Sequence, residues 1–181
     1  PLQQPHPPLW IGATTVRAAE RAGRHGAFLA AGSVEPEVYQ AYRRAWVEGG
    51  RSESQARASL TLAITTTRED PEKVWARHRD VYFERWEFYS RIRSELGDPA
   101  LAVGATGRVD PESVRTPDTY RANELIGDPD TVLGVLEPLV RRLGATDLVI
   151  SGPASGLDWR GEGYESVRLF AERVLPELAR W

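Results

Sequence analysis

The chain contains no cysteine, no methionine, three histidines and a single lysine, Lys73. Without cysteine, disulfides, thiolate metal sites and thiol nucleophiles are excluded from these 181 residues. The histidines, His6, His25 and His78, are scattered; no H-E-x-x-H and no acidic cluster at ligand spacing accompanies them, so no metal site is expected. No apolar run approaches the ~18 residues that a membrane helix needs, and no charged-then-apolar leader opens the sequence. The expectation is a cytoplasmic protein with no membrane partner.

Arginine supplies nearly all of the basic residues, yet the formal net charge is −3. No basic run clusters on one face, so the arginine bias reads as GC-rich codon usage and no nucleic-acid partner is expected. Hydrophobic residues at 41% and charged residues at 27% suit a folded globular chain, and residues 1–181 are read as a single domain.

Short apolar strands alternate with helices along the sequence. After a proline-rich lead-in, Leu9–Gly12 reads as a strand and Thr15–Gly23 as a helix. Gly26–Ala31 reads as a buried strand; Pro36–Glu48 follows as a helix with Val38, Tyr42, Ala45 and Trp46 on one face and Gly49-Gly50 as its stop. Ala58–Thr67 is the clearest strand, because Leu60, Leu62 and Ile64 alternate with period two. Asp70 caps a long helix that has Pro71 at its first position and runs to about Leu96. Its aromatics, Trp75 to Tyr89, are too many for one core-facing stripe.

From Gly97 to Glu124 the chain is rich in Gly, Pro and Asp and reads as an inserted, lid-like loop. A helix from Asp128 to Leu143 follows, with a kink expected at Pro138. Asp147–Gly152 reads as a buried strand, and a closing helix starts at Tyr164. The count is four βα units. Such alternation implies an α/β fold with parallel strands, either an open doubly wound sheet or part of an eight-stranded barrel.

The turn Gly12-Ala13-Thr14-Thr15 carries the most chemistry. It joins a strand to a helix start, where unpaired backbone N–H groups and the positive end of the helix dipole favour a phosphate, and two hydroxyls add donors. A plain strand–helix turn with a threonine cap has the same appearance. Gly152-Pro153-Ala154-Ser155-Gly156 has the wrong spacing for a G-x-S-x-G elbow, and Gly161-Glu162-Gly163 lacks a third glycine and a preceding strand, so both read as loop.

Three stretches resemble the bacterial luciferase-like monooxygenases and their deazaflavin-dependent relatives, in the family's order. Gln4–Gly12 resembles the strand opening the second half of their barrel, Leu125–Val132 the helix opening before the last strand, and Leu169–Pro176 the closing helix. The resemblance selects the barrel and implies that the four units form the second half of a (β/α)8 enzyme, which takes ~250 residues when complete. It implies FMN or a deazaflavin coenzyme as cofactor, with its phosphate at Gly12, Ala13, Thr14 and Thr15; the lysine-poor usage of high-GC actinobacteria favours deazaflavin.

Barrel enzymes place their sites at the carboxyl ends of the strands, here Ser33, Thr66 and Ser151, which are expected to face a small-molecule substrate. His25 departs from the acidic residue that relatives usually carry before the glycine. The family holds the cofactor ring largely with its first half, so no catalytic residue is named. An open half-barrel exposes strand edges and an apolar face, and requires a partner: the missing amino-terminal half, or a second copy in a homodimer. Two functions stay open: part of a flavin- or deazaflavin-dependent oxidoreductase, or a non-catalytic half-barrel serving as a self-association or interaction module.

Overall fold

Short β-branched and apolar runs broken by glycine turns, each followed by an amphipathic stretch, form parallel strands with helical crossovers. The computed structural model describes residues 2–4, 6–95, 116, 117, 121, 124–152 and 156–181. In chain order the elements are β1 (Trp10–Ala13), α1 (Val16–Arg24), β2 (Phe28–Ala31), α2 (Pro36–Glu48), β3 (Ala58–Thr66), α3 (Pro71–Glu95), β4 (Glu124–Gly127), α4 (Pro129–Leu143), β5 (Asp147–Ile150), α5 (Glu162–Arg173) and α6 (Leu175–Leu178). The four expected units are present, and β4 adds a fifth strand where a loop end and a helix opening were expected. Its four residues, only Leu125 and Ile126 of them strongly apolar, are too few to show a period in sequence. The expected 97–124 insertion lies outside the described residues apart from 116, 117, 121 and 124. The helix α4 continues through Pro138.

Two compact units divide the chain, one formed by residues 1–61 and 138–149, the other by 62–137 and 150–181. In the first, β1 pairs parallel to β2, with Trp10 opposite Phe28 and Ala13 opposite Ala31, and β2 pairs parallel to β3, with Leu29 opposite Ala58 and Ala31 opposite Leu60. Ala19, Ala22 and Gly23 form one face of α1, as i, i+3, i+4 spacing dictates, and are buried. A Cβ at Gly23 would lie 2.5 Å from the Tyr42 carbonyl oxygen and 2.8 Å from the Trp46 nitrogen, so α1 and α2 approach at a distance only glycine permits.

Arg57 ties the strand starts of this unit together. Its Nε donates to Asp147 Oδ2 at 3.1 Å, a second guanidinium nitrogen pairs with Asp147 Oδ1, and the charge lies 5.3 Å from the Trp10 ring centre and 5.5 Å from that of Phe28. Thr146 N–H donates to Ala58 O at 2.9 Å, which extends the pairing of β5 with β3. Arg43 donates to the Leu143 and Gly144 carbonyls, satisfying the end of α4.

In the second unit β3 pairs parallel to β4, with Ala63 opposite Glu124 and Thr66 opposite Gly127. Val74, Trp75 and Tyr82 of α3 pack with Ile126 and Leu157, and Phe83 and Trp86 cover them. Trp75 meets Tyr82 edge-on at 5.5 Å and His78 at 5.2 Å. Asp70 caps α3 by accepting from Glu72 N–H at 2.9 Å, as expected, and Asp128 caps α4 through Thr131 N–H at 2.8 Å. Among the described residues no helix is long and apolar enough to cross a membrane.

Candidate functional site

In the first unit the carboxyl ends of β1 and β2 bring the predicted turn together with the start of the β2–α2 loop. Gly12 and Ala13 close β1, Thr14 follows exposed, and Thr15 occupies the N-cap of α1 in extended conformation. Thr15 Oγ1 accepts from Ala18 N–H at 3.4 Å, and Thr15 O accepts from Ala19 N–H at 3.0 Å. The N–H groups of Val16 and Arg17 belong to the first turn, where a helix has no internal acceptors to offer. No acidic side chain occupies that turn.

Gly32 N–H donates to Ala13 O at 3.0 Å, and a Cβ on Gly32 would come within 2.9 Å of the Thr14 methyl. Glycine at 32 therefore lets the second loop pass close to Thr14. A Cβ at Gly12 would meet nothing within 4 Å, so the strand end faces open space. Ser33 is half-buried; its hydroxyl accepts from Glu35 N–H at 3.1 Å and shapes the entry into α2. Its carbonyl accepts from the buried Tyr39 hydroxyl at 3.2 Å; burial raises the Tyr39 pKa to about 12.

Thr66 and Ser151 lie in the second unit. Ser151 N–H donates to Leu62 O at 2.9 Å, so its exposed side chain stands beside β3. Thr66 is buried; its N–H donates to Ser166 Oγ at 2.9 Å, while its own hydroxyl has no hydrogen-bond partner among the described residues. Thr66 also lines a cavity of about 270 Å³. The carboxyl end of β3, the first turns of α3 and α5, and Leu157 build that cavity.

Charged groups around the cavity are largely paired. Arg77 reaches Glu69 at 3.0 Å and Glu162 at 2.7 Å. Arg168 holds Glu165 at 2.7 Å and keeps its carboxyl below the usual range. Behind this wall His78 is fully buried with Nδ1 2.8 Å from Val74 O, and burial lowers its pKa. Glu124, at the start of β4, is buried too; burial raises its carboxyl to about 7, against the opposing fields of Arg85 and Arg121.

Arg68, Arg77, Glu162 and Ser166 carried no motif in the sequence. The one available signal was the Thr65–Thr67 run at a strand's carboxyl end, because what gathers those side chains is packing between α3 and α5, far apart in sequence. Gly161-Glu162-Gly163, which reads as loop, supplies the cap and first residues of α5.

Parallel strands alternating with helices, and a threonine-capped turn at their carboxyl ends, define a class, and sequence comparison identifies it. The chain belongs to the luciferase-like monooxygenase family, which it matches over residues 1–147. No curated protein sequence matches it.

Among solved structures it is similar to the oxygenating constituent of 3,6-diketocamphane monooxygenase from the CAM plasmid of Pseudomonas putida, in complex with FMN, at 16% identity and a TM-score of 0.62, covering 94% of this chain and 48% of that one. It is similar to the coenzyme F420-dependent tetrahydromethanopterin reductase of Methanopyrus kandleri at 22% identity and a TM-score of 0.57, covering 94% and 50%. Monooxygenase RslO1 of Streptomyces bottropensis matches at 19% identity and a TM-score of 0.57, covering 97% and 50%. The chain thus spans about half the length of the luciferase-like barrels it matches. The expected α/β half-barrel fold is therefore shown.

Proposed function

We propose that this chain supplies the second half of a flavin- or deazaflavin-dependent oxidoreductase and holds the cofactor phosphate at the β1–α1 turn. The observation that carries this is the start of α1: exposed, free of acidic side chains and capped by Thr15, at the carboxyl end of a parallel strand in a luciferase-like chain. Solved relatives named for FMN and for coenzyme F420 bracket the cofactor class, and the lysine-poor composition favours the deazaflavin.

In this reading the Val16 and Arg17 N–H groups and the Thr14 hydroxyl donate to the phosphate. Thr15 Oγ1 accepts from Ala18 N–H and keeps its own hydrogen free to donate. Gly12 and Ala13 bring the backbone close. A bound reduced flavin supplies oxygen activation, and a bound deazaflavin supplies hydride transfer. Ser33, Thr66 and Ser151 are the substrate-side positions, and Ser33 acts mainly by setting the loop that follows β2. The cofactor ring and the reacting atoms belong to the complementary half of the barrel, either a separate segment or a second copy of this chain, in the cytoplasm.

Complementation tests this. Mixed with the amino-terminal half of a luciferase-like barrel, the chain should bind cofactor stoichiometrically and restore cofactor-dependent turnover. A stable homodimer that neither binds cofactor nor responds to the added half would overturn the proposal and establish the self-association module instead.

A further inference from the structure

One face of α5 packs into the second unit and another lies open. Gly163, Ser166 and Leu169 are buried. Ser166 Oγ accepts from Thr66 N–H at the end of β3 at 2.9 Å, and Glu162 pairs with Arg77 of α3 at 2.7 Å. Tyr164, Val167 and Ala171, spaced i, i+3, i+7, fall within about 60° of one another around the helix, on the side away from Glu162. That side is exposed: Tyr164 is 60% and Val167 49% accessible, and Leu175, which opens α6 one turn on, 53%. The turn before α5 adds Trp159 at 66%. Charges beside the stripe are already matched, since Arg168 holds Glu165 at 2.7 Å and Glu172 at 2.9 Å. Single exposed apolar residues are ordinary on a surface; a helical stripe of them with two aromatics at its head marks a contact surface.

We infer that this stripe is the surface on which the complementary half of the barrel docks, through the apolar face of its first crossover helix. In a (β/α)8 ring every helix has a helical neighbour on each side. The chain spans about half of the barrels it matches, and α5 follows β5, so the ring position beside the open flank belongs to the first βα unit of the other half. The sheet asks for the same partner. Among the described residues β1 pairs only with β2 and β5 only with β3, which leaves one edge of each strand free for a strand of that half. A second copy docked through α5 alone leaves those edges open. An anionic membrane gains nothing from a stripe whose neighbouring charges cancel, on a chain of net charge −3. Tyr164 and Trp159 are the side-chain types that anchor protein interfaces. The inference rests on the reading of the chain as one half of a barrel and is independent of the phosphate site.

The lack of cysteine supplies the test, because an introduced cysteine is the single thiol in the chain. Val167→Cys, on the stripe, and Arg44→Cys, exposed on α2, are reacted with a maleimide with and without the amino-terminal half of monooxygenase RslO1, and the label on this chain is read by mass. The added half should slow labelling of Val167→Cys about tenfold or more and leave that of Arg44→Cys unchanged. Tyr164→Lys should weaken association of the two halves about tenfold or more. Tyr164, Val167 and Arg44 are exposed, so each variant should keep the parent's circular dichroism spectrum. Labelling of Val167→Cys that ignores the added half would overturn the inference. Equal slowing on concentrating the chain alone would overturn it in favour of a second copy, and equal slowing by phosphatidylglycerol vesicles in favour of a membrane. FMN titration of the same mixture separates the two claims. A complex that binds FMN while Val167→Cys stays reactive ends this inference alone; a complex that protects Val167→Cys without binding FMN ends the cofactor reading alone.

Discussion

Glu124 should make the fold less stable as pH rises, and Glu124→Gln should remove that effect. The carboxyl is buried, its Oε2 has no partner among the described residues, and burial raises its pKa from 4.5 to about 7. A raised carboxyl binds its proton more tightly in the folded state than in the unfolded chain. Below pH 4.5 both states are protonated and nothing is lost; between 4.5 and about 7 the unfolded chain ionises first, so stability falls; above 7 the full penalty applies. At about 1.4 kcal/mol per pH unit the difference amounts to about 3 kcal/mol. For a chain of this length that is roughly 6–12 °C in Tm.

The assay is thermal and urea unfolding of the parent and Glu124→Gln at several values between pH 4.5 and 8.5. The difference between them should be small at pH 4.5 and grow to about 3 kcal/mol in favour of the variant by pH 8. His78 runs the other way, because a histidine held neutral by burial costs stability as pH falls below 6.5. That slope is common to both proteins and cancels in the difference. A variant that tracks the parent across the range, or is less stable at pH 8, would refute the burial argument.

Further outcomes follow from packing and caps. Gly23→Ala places a methyl against the Tyr42 carbonyl, so α1 must move off α2; a loss of about 2–3 kcal/mol in urea unfolding is expected. Arg57→Ala removes both the Asp147 pair and the contacts with Trp10 and Phe28. Because the pair is partly exposed, the expected loss is about 1 kcal/mol, and the ionic part should shrink in high salt. Thr15→Ala should lower stability by about 0.5–1 kcal/mol through the lost cap. The same variant should weaken binding of FMN more than that of riboflavin.

Sequence patterns made the regular elements legible where one residue type decides the outcome. Leu60, Leu62 and Ile64 announce β3, Pro36 and Gly49-Gly50 bracket α2, and Asp70-Pro71 starts α3 as it does in the structure. The shift of α1 by one residue reflects Thr15 acting as the cap and not as the first helical residue. What stayed hidden depends on tertiary contact. Glu124–Gly127 becomes a strand because β3 offers Ala63 to Thr66 as partners, not through its own propensity. His78, expected to be a surface or packing histidine, is a packing residue, fully buried edge-on to Trp75 with Nδ1 2.8 Å from Val74 O. The cavity's ionic wall could not be read, because Arg77 and Glu162 meet only after α3 and α5 pack.

Comparing FMN with riboflavin on the same preparation tests the central claim most directly, since the two ligands differ by the phosphate alone. With the complementary half present, FMN should bind at least tenfold more tightly than riboflavin, and replacing Thr14 and Thr15 with alanine should remove most of that advantage. Equal affinity for the two ligands, or an advantage that survives both replacements, would place the phosphate elsewhere and contradict the account.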